Sequence, residues 1–187
     1  AVVIGAGFIG VELVENFIRR GIATTVVELH DQILPPFDKE MTTPLVQELE
    51  AKGVSLLLGQ SAEAFESATD GLIVRLKSGQ RLCAQLVVLG VGVRPENKLA
   101  VEAGLEVGPR GGIRVNEYLQ TSDPDIYAVG YAIEVKDFVT GDPAQVPLAG
   151  PANRQGRIAA DNIFGRAARY RGTQGTAIVR VFDRTAA

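Results

Sequence analysis

Three glycines near the start constrain how this chain can fold. Residues 1–10 read AVVIGAGFIG, an apolar run followed by Gly5, Gly7 and Gly10 in G-x-G-x-x-G spacing. The run suits a short buried strand, and the residues after Gly10 carry helical periodicity. A second strand-like run, TTVVE, closes on Glu28, about 20 residues on, as a dinucleotide-binding β-α-β unit requires. Each glycine then has a physical task. Gly5 permits the tight turn, Gly7 lets backbone approach a pyrophosphate, and Gly10 lets the helix lie close to the strand. Phe8 and Ile9 open the helix, where unpaired N–H groups and the positive dipole end would face the phosphates. A carboxylate at Glu28 accepts hydrogen bonds from ribose hydroxyls and repels a 2′-phosphate, so NAD(H) is expected to be favoured over NADP(H).

Composition removes several classes. A net charge of −3 argues against a nucleic-acid partner held by phosphate neutralisation. Cys83 is the only cysteine, which excludes an internal disulfide and fits a reducing, cytoplasmic compartment. No apolar run approaches the ~18 residues of a membrane span, and the start lacks the basic region and cleavage site of a signal peptide. With no initiator Met, the chain reads as a piece of a longer one. No triad or metal-ligand cluster is evident. Cys83, in a hairpin strand with only Arg81 as a basic neighbour, reads as an inert, half-buried thiol. His30, the single histidine, reads as a solvated loop residue near Glu28.

The pattern predicts an α/β fold. A first helix is expected over 7–20, with Ile9, Leu13 and Phe17 inward beside Val14 and Ile18, a Glu15–Arg19 ion pair, and Gly21 as the stop. Strand two is expected over 23–28, and a second helix runs to about 52 with Asp38 as N-cap and Met41, Leu45 and Leu49 inward. Strand three covers 54–58. Residues 71–84 alternate as a hairpin turning at Ser78-Gly79, part of an antiparallel meander inserted into a doubly wound parallel sheet. Residues 85–93, QLVVLGVGV, read as a strand buried on both faces. A short strand after Gly112, a buried strand over 126–129, a hairpin or loop over 134–148, a helix over 151–164 and a final strand complete the chain. The arginines at 154, 157, 166, 169 and 171 read as a polar helix face and C-terminal cap. The strands after Gly112 are too few to bury a sheet alone and are expected to need further partners.

Several motifs together resemble a family. These are GAGFIGVEL at 5–13, VVLGVGVRPEN within 86–97, TSDPDIYAVG at 121–130, PLAGPANRQGRIAADNI at 147–163 and GTQGTAIVRVFD at 172–183. The chain resembles the flavin-dependent pyridine nucleotide-disulfide oxidoreductases, in the branch of CoA-disulfide reductases, CoA-persulfide reductases and NADH oxidases. The resemblance implies an NAD(H)-binding domain at 1–112, the C-terminal half of an FAD-binding domain at 113–171, and the start of a dimerising interface domain at 172–187. It implies that Gly5, Gly7, Phe8, Ile9 and Gly10 hold the pyrophosphate and that Glu28 holds the ribose. Glu12 would lie near the nicotinamide, with Gly92 in a second glycine loop. Gly130, Tyr131, Leu148 and Ala149 would fall in the flavin region. NADH would pass hydride to FAD, which would reduce CoA disulfide, a persulfide or dioxygen, within a homodimer. The family's redox-active Cys lies in a segment before this one, so no catalytic residue is expected here.

One departure stands out. The family places Asp after IYAVG, on the flavin's ribityl chain; here that position is Tyr131, a single hydroxyl on a bulky ring. The chain as given is therefore expected not to hold FAD. Two other readings stay open: a stand-alone NAD-binding module without flavin or turnover, and a simple NAD dehydrogenase. The latter lacks a candidate proton donor.

Overall fold

The computed structural model describes residues 1–187, which pack into two compact units, 1–92 with 177–187, and 93–176. In the first, β1 (Val2–Ile4) leads into α1 (Phe8–Arg19), followed by β2 (Thr25–Val27), α2 (Lys39–Ala51) and β3 (Ser55–Leu57). An antiparallel meander follows, β4 (Ala62–Ala68), β5 (Gly71–Leu76) and β6 (Arg81–Ala84), before β7 (Val87–Leu89) returns to the parallel sheet. The sheet order is β3-β2-β1-β7. The chain runs outward from β1 through β2 to β3 and then returns to the other side of β1 as β7, so the strand order reverses at β1, the place where doubly wound sheets bind ligands past the carboxyl ends of their strands.

The alternation of side chains along the strands divides the core. Val3 and Val26 face α1 and α2, packing with Val11, Val14, Leu45 and Leu49. Val2, Ile4 and Val27 face the meander, packing with Val74, Leu76 and Ala84. Leu49 has no exposed surface, so Leu49→Ala is expected to cost about 2–5 kcal/mol in urea unfolding. An unchanged midpoint would remove this helix from the core.

The second unit contains α3 (Lys98–Glu102), β8 (Ile113–Arg114), a 3-10 turn (Gly130–Ala132), β9 (Ile133–Lys136), β10 (Pro143–Ala144) and α4 (Ala149–Ile163). β8 and β9 pair in parallel, and β9 and β10 form the expected hairpin. The core here is Ile113, Leu119, Ile133, Val135, Ala159 and Tyr170.

Several expectations need correction. Ile9 and Met41 point outward; the buried positions are Val11 and Val14 in α1, and Thr42, Leu45 and Leu49 in α2. Asp38 is the N-cap of α2, but its side chain makes no capping bond. The strand expected over 85–93 shrinks to β7, with Leu89 and Val91 exposed. It is the edge strand of its sheet, and with Val87 and Val88 half-buried and Leu89 exposed, burial on both faces fails. Residues 126–129 form no strand beyond a single bridge from Tyr127 to Gln120, and Ile126 and Val129 are exposed. α4 starts at Ala149, which places Pro151 inside its first turn, and Ile163 is exposed. Cys83 is exposed rather than half-buried, because alternate residues of β6 turn inward and the buried one is Ala84. The C-terminal stretch is two strands, not one: β11 (Val179–Val181) pairs antiparallel with β12 (Arg184–Ala186) and packs on α1 and α2 of the first unit.

Candidate functional site

The glycine turn connects β1 to α1. Gly5 has φ +100°, and a Cβ there would stand 2.4 Å from the Gly90 carbonyl oxygen. A Cβ on Gly10 would stand 2.0 Å from the Gly5 carbonyl oxygen and 3.6 Å from Val3. Both glycines therefore serve close approach of backbone to backbone. Gly7 differs: it has φ −74° as the N-cap of α1, and a Cβ there meets nothing within 4 Å. Its side-chain direction opens on free space. The amides of Phe8, Ile9 and Gly10 donate to no acceptor in the chain, and the first helical bond runs from the Val11 N–H to the Gly7 carbonyl. Free amides and the dipole end make this an anion-accepting terminus. The Phe8 ring packs edge-on against Phe37, 5.8 Å between centroids, so its backbone rather than its side chain faces the opening.

Glu28 sits at the end of β2, only 6% exposed. Its Oε2 accepts the Ala6 N–H at 2.6 Å and its Oε1 accepts the His30 N–H at 2.9 Å. The carboxylate ties the glycine turn to the loop after β2 and keeps lone pairs to spare. Sequence reading missed this second task, because nothing in the spacing of Ala6 and Glu28 announces the contact. The same loop is anchored from below, where the Leu34 N–H donates to the Ala6 carbonyl and Ile33 and Leu34 are fully buried. His30 is exposed and contributes only its backbone to Glu28.

Asp31, next in this loop, pairs with Lys39 at 2.5 Å. Hydrogen bonding and charge attraction from Lys39 hold its carboxyl below the usual carboxylate range. A depressed folded pKa contributes stability above the ordinary carboxylate pKa and loses it as pH falls through the lowered folded value. Both groups are exposed, so the contribution is small. NMR titration should show Asp31 titrating below a free aspartate, and Lys39→Ala should abolish the difference.

Gly90 and Gly92 follow β7, and the Gly90 N–H donates to the Ile4 carbonyl at 2.7 Å. Gly92 has φ +102° and open space at its Cβ direction. Glu12 is exposed on α1, and its side chain makes no bond within the chain. The second unit assembles a separate set. Gly130 has φ +85°, and its N–H donates to Gln155 Oε1 at 2.7 Å. Tyr131 follows it half exposed, and its hydroxyl makes no hydrogen bond. Leu148 is the N-cap of α4, and the amides of Ala149 and Gly150 are free. The cavity of about 430 Å³ in this unit, bordered by Val135, Lys136 and Tyr170, includes none of these residues. No three His, Cys, Asp or Glu side chains stand together as metal ligands, and no helix is long and apolar enough to cross a membrane.

Residues 1–156 match the pyridine nucleotide-disulphide oxidoreductases, a span that includes both sets of residues. The chain belongs to that family. Among its relatives, the NADH oxidase of Enterococcus faecalis is 38% identical over 97% of this chain. This chain spans 41% of that relative's length. The structure of reduced Bacillus anthracis CoADR-RHD is 50% identical with a TM-score of 0.94, covering 98% of this chain and 33% of that one. An engineered water-forming NADPH oxidase bound to NADPH, a mutant of the Lactobacillus brevis NADH oxidase, is 31% identical with a TM-score of 0.93. It covers 98% of this chain and 41% of that one. Family membership accounts for the parallel sheet with its glycine turn, and for the oxidoreductase character of the relatives.

Proposed function

We propose that this chain is the NAD(H)-binding portion of an FAD-dependent oxidoreductase that passes hydride from NADH through FAD to a disulfide, a persulfide or dioxygen. Residues 1–112 carry the nucleotide, 113–171 belong to the FAD-binding domain, and 172–187 open the dimerising domain of a cytoplasmic homodimer. The packing division at Gly92 and Val93 favours an earlier end to the nucleotide domain. The observation that carries the reading is the contrast among the glycines. Gly5 and Gly10 are required by the chain's own backbone, whereas nothing in the chain requires Gly7. A ligand would: the absent side chain leaves room beside free amides for a pyrophosphate. NADH would lie over α1 with its ribose on Glu28 and its nicotinamide end toward Gly92 and Glu12.

The flavin residues fit in part. The free amides of Ala149 and Gly150 suit an electron-rich ring edge, while Gly130 has spent its amide on Gln155 and Tyr131 brings a ring where a short acceptor is needed. FAD would supply the electron relay; this chain's residues bind and orient the nucleotide that feeds it.

The engineered oxidase supports the nucleotide assignment. Its substitutions fall on a glycine, an aspartate eighteen residues later, the next two residues, and a proline five further on. Counted from Gly10, that spacing lands here on Glu28, Leu29, His30 and Pro35. An acidic residue and a proline recur at the matching places.

The decisive experiment is Gly7→Val. The site has open space and an extended φ/ψ that valine adopts without strain. Because valine is a poorer N-cap than glycine, the variant is expected to melt about 2–4 °C lower while binding NADH at least about tenfold more weakly, read by nicotinamide fluorescence. Unchanged NADH affinity would take the pyrophosphate away from this turn.

A further inference from the structure

The C-terminal hairpin is fastened to the helix that carries the glycine turn. Val179, Val181 and Phe182 are buried in one cluster with Val11 and Val14 of α1 and with Leu45 and Leu49 of α2. At the hairpin's tip the Phe182 N–H donates to Glu15 Oε2 at 2.9 Å, while Glu15 Oε1 pairs with Arg19 at 2.7 Å. Phe182 has φ +51°, in the left-handed region that a bulky residue enters only when its surroundings hold it there. Lys52 stands 5.5 Å from the centre of its ring and 3.6 Å from the Asp183 carboxylate, and Arg184 reaches Glu48 at 3.7 Å. The tip is therefore gripped from both helices.

α1 is one continuous helix of 12 residues. Its N-terminal end is seated by Gly10 against the Gly5 carbonyl, and its middle is seated by the hairpin through Glu15. If the hairpin fixes the seat of α1, it also fixes how the free amides of Phe8, Ile9 and Gly10 stand over the turn. We infer that Glu15 and Phe182 are positioning residues of the nucleotide site, so that docking of the hairpin and binding of the dinucleotide favour one another. The inference rests on the glycine turn being the NADH site. Linkage is reciprocal: if the docked hairpin strengthens NADH binding, bound NADH strengthens docking by the same factor.

The test uses the 187-residue chain and three variants. Glu15→Ala removes the acceptor for the Phe182 amide, Glu15→Gln retains one, and Leu76→Val disturbs the buried cluster under the meander, which contains no residue of α1 or the hairpin. NADH affinity and hydrogen exchange of the hairpin amides are measured with and without saturating NADH. Glu15→Ala is expected to weaken NADH binding about fivefold or more, Glu15→Gln to recover most of that, and Leu76→Val to stay within about twofold of wild type. NADH should slow exchange at Phe182 by about fivefold or more in wild type and by less in Glu15→Ala. The coupling is overturned if Glu15→Ala binds NADH like wild type, or if Leu76→Val weakens it equally. It is also overturned if hairpin exchange ignores NADH in a wild-type chain that binds it. A wild-type chain that does not bind NADH overturns the nucleotide reading, and the coupling with it.

Discussion

NADH is expected to bind this chain at least about tenfold more tightly than NADPH, a difference of about 1.4 kcal/mol. The cause lies in how Glu28 is held. Two backbone N–H groups fix its carboxylate at the end of β2, so the charge cannot swing away from a 2′-phosphate. Leu29 beyond it is 65% exposed and offers the phosphate no donor. Replacing the pair, Glu28→Ala with Leu29→Arg, removes the repulsion and supplies a guanidinium fork, and should reverse the preference. The same change strands the amides of Ala6 and His30, at about 1–3 kcal/mol for each that stays buried and unpaired. The variant should therefore melt lower, and its affinities must be taken below its transition. Equal affinity of wild type for the two nucleotides, or a preference for NADPH, would show that Glu28 is not at the ribose.

The largest effect on stability is expected at Gly5. Alanine there must hold φ +100°, and its Cβ would fall 2.4 Å from a main-chain carbonyl that has no rotamer by which to escape. Strain of about 1–3 kcal/mol from the dihedral adds to about 1–3 kcal/mol from forcing β1 and the end of β7 apart. Gly5→Ala should lower the unfolding free energy by about 3 kcal/mol or more in urea denaturation, with weakened NADH binding following from the displaced turn. A variant as stable as wild type would mean that the turn relaxes freely. The two glycines make opposite variants: Gly5→Ala should lose the fold before the ligand, and Gly7→Val the ligand without the fold.

The first unit was legible where local chemistry decides. The apolar run, the glycine spacing and the acidic end of the next strand mark β1, α1 and β2 within a residue or two of their observed ends. Sequence periodicity was less reliable for facing. It counted Ile9 and Met41 inward because a hydrophobic stripe on a short helix spans several choices of face, and the sheet and hairpin select one. β4 went unread because AEAFESA carries small and acidic residues on a strand whose outer side is solvated. Its carboxylates Glu63 and Glu66 instead meet Arg75 and Arg81 across the meander. At the site, the residue types were readable and their contacts were not. The bond from Ala6 to Glu28 and the one from Phe182 to Glu15 join positions that no local pattern relates.

The hairpin also imposes an order on how the molecule comes into being. Glu15 and Phe182 lie 167 residues apart, yet meet in the same core. At a synthesis rate of about 5–20 residues per second, α1 leaves the ribosome on the order of ten seconds before the strands that cover it. During that interval Val11, Val14, Leu45 and Leu49 lack Val179, Val181, Phe182 and Ala186, the part of their core that the hairpin supplies. Contacts of such long range delay folding, because the loop must close before they repay its entropy. Residues 1–92 are thus made first and completed last, with the apolar surface that the hairpin covers left open until Val179, Val181 and Phe182 arrive.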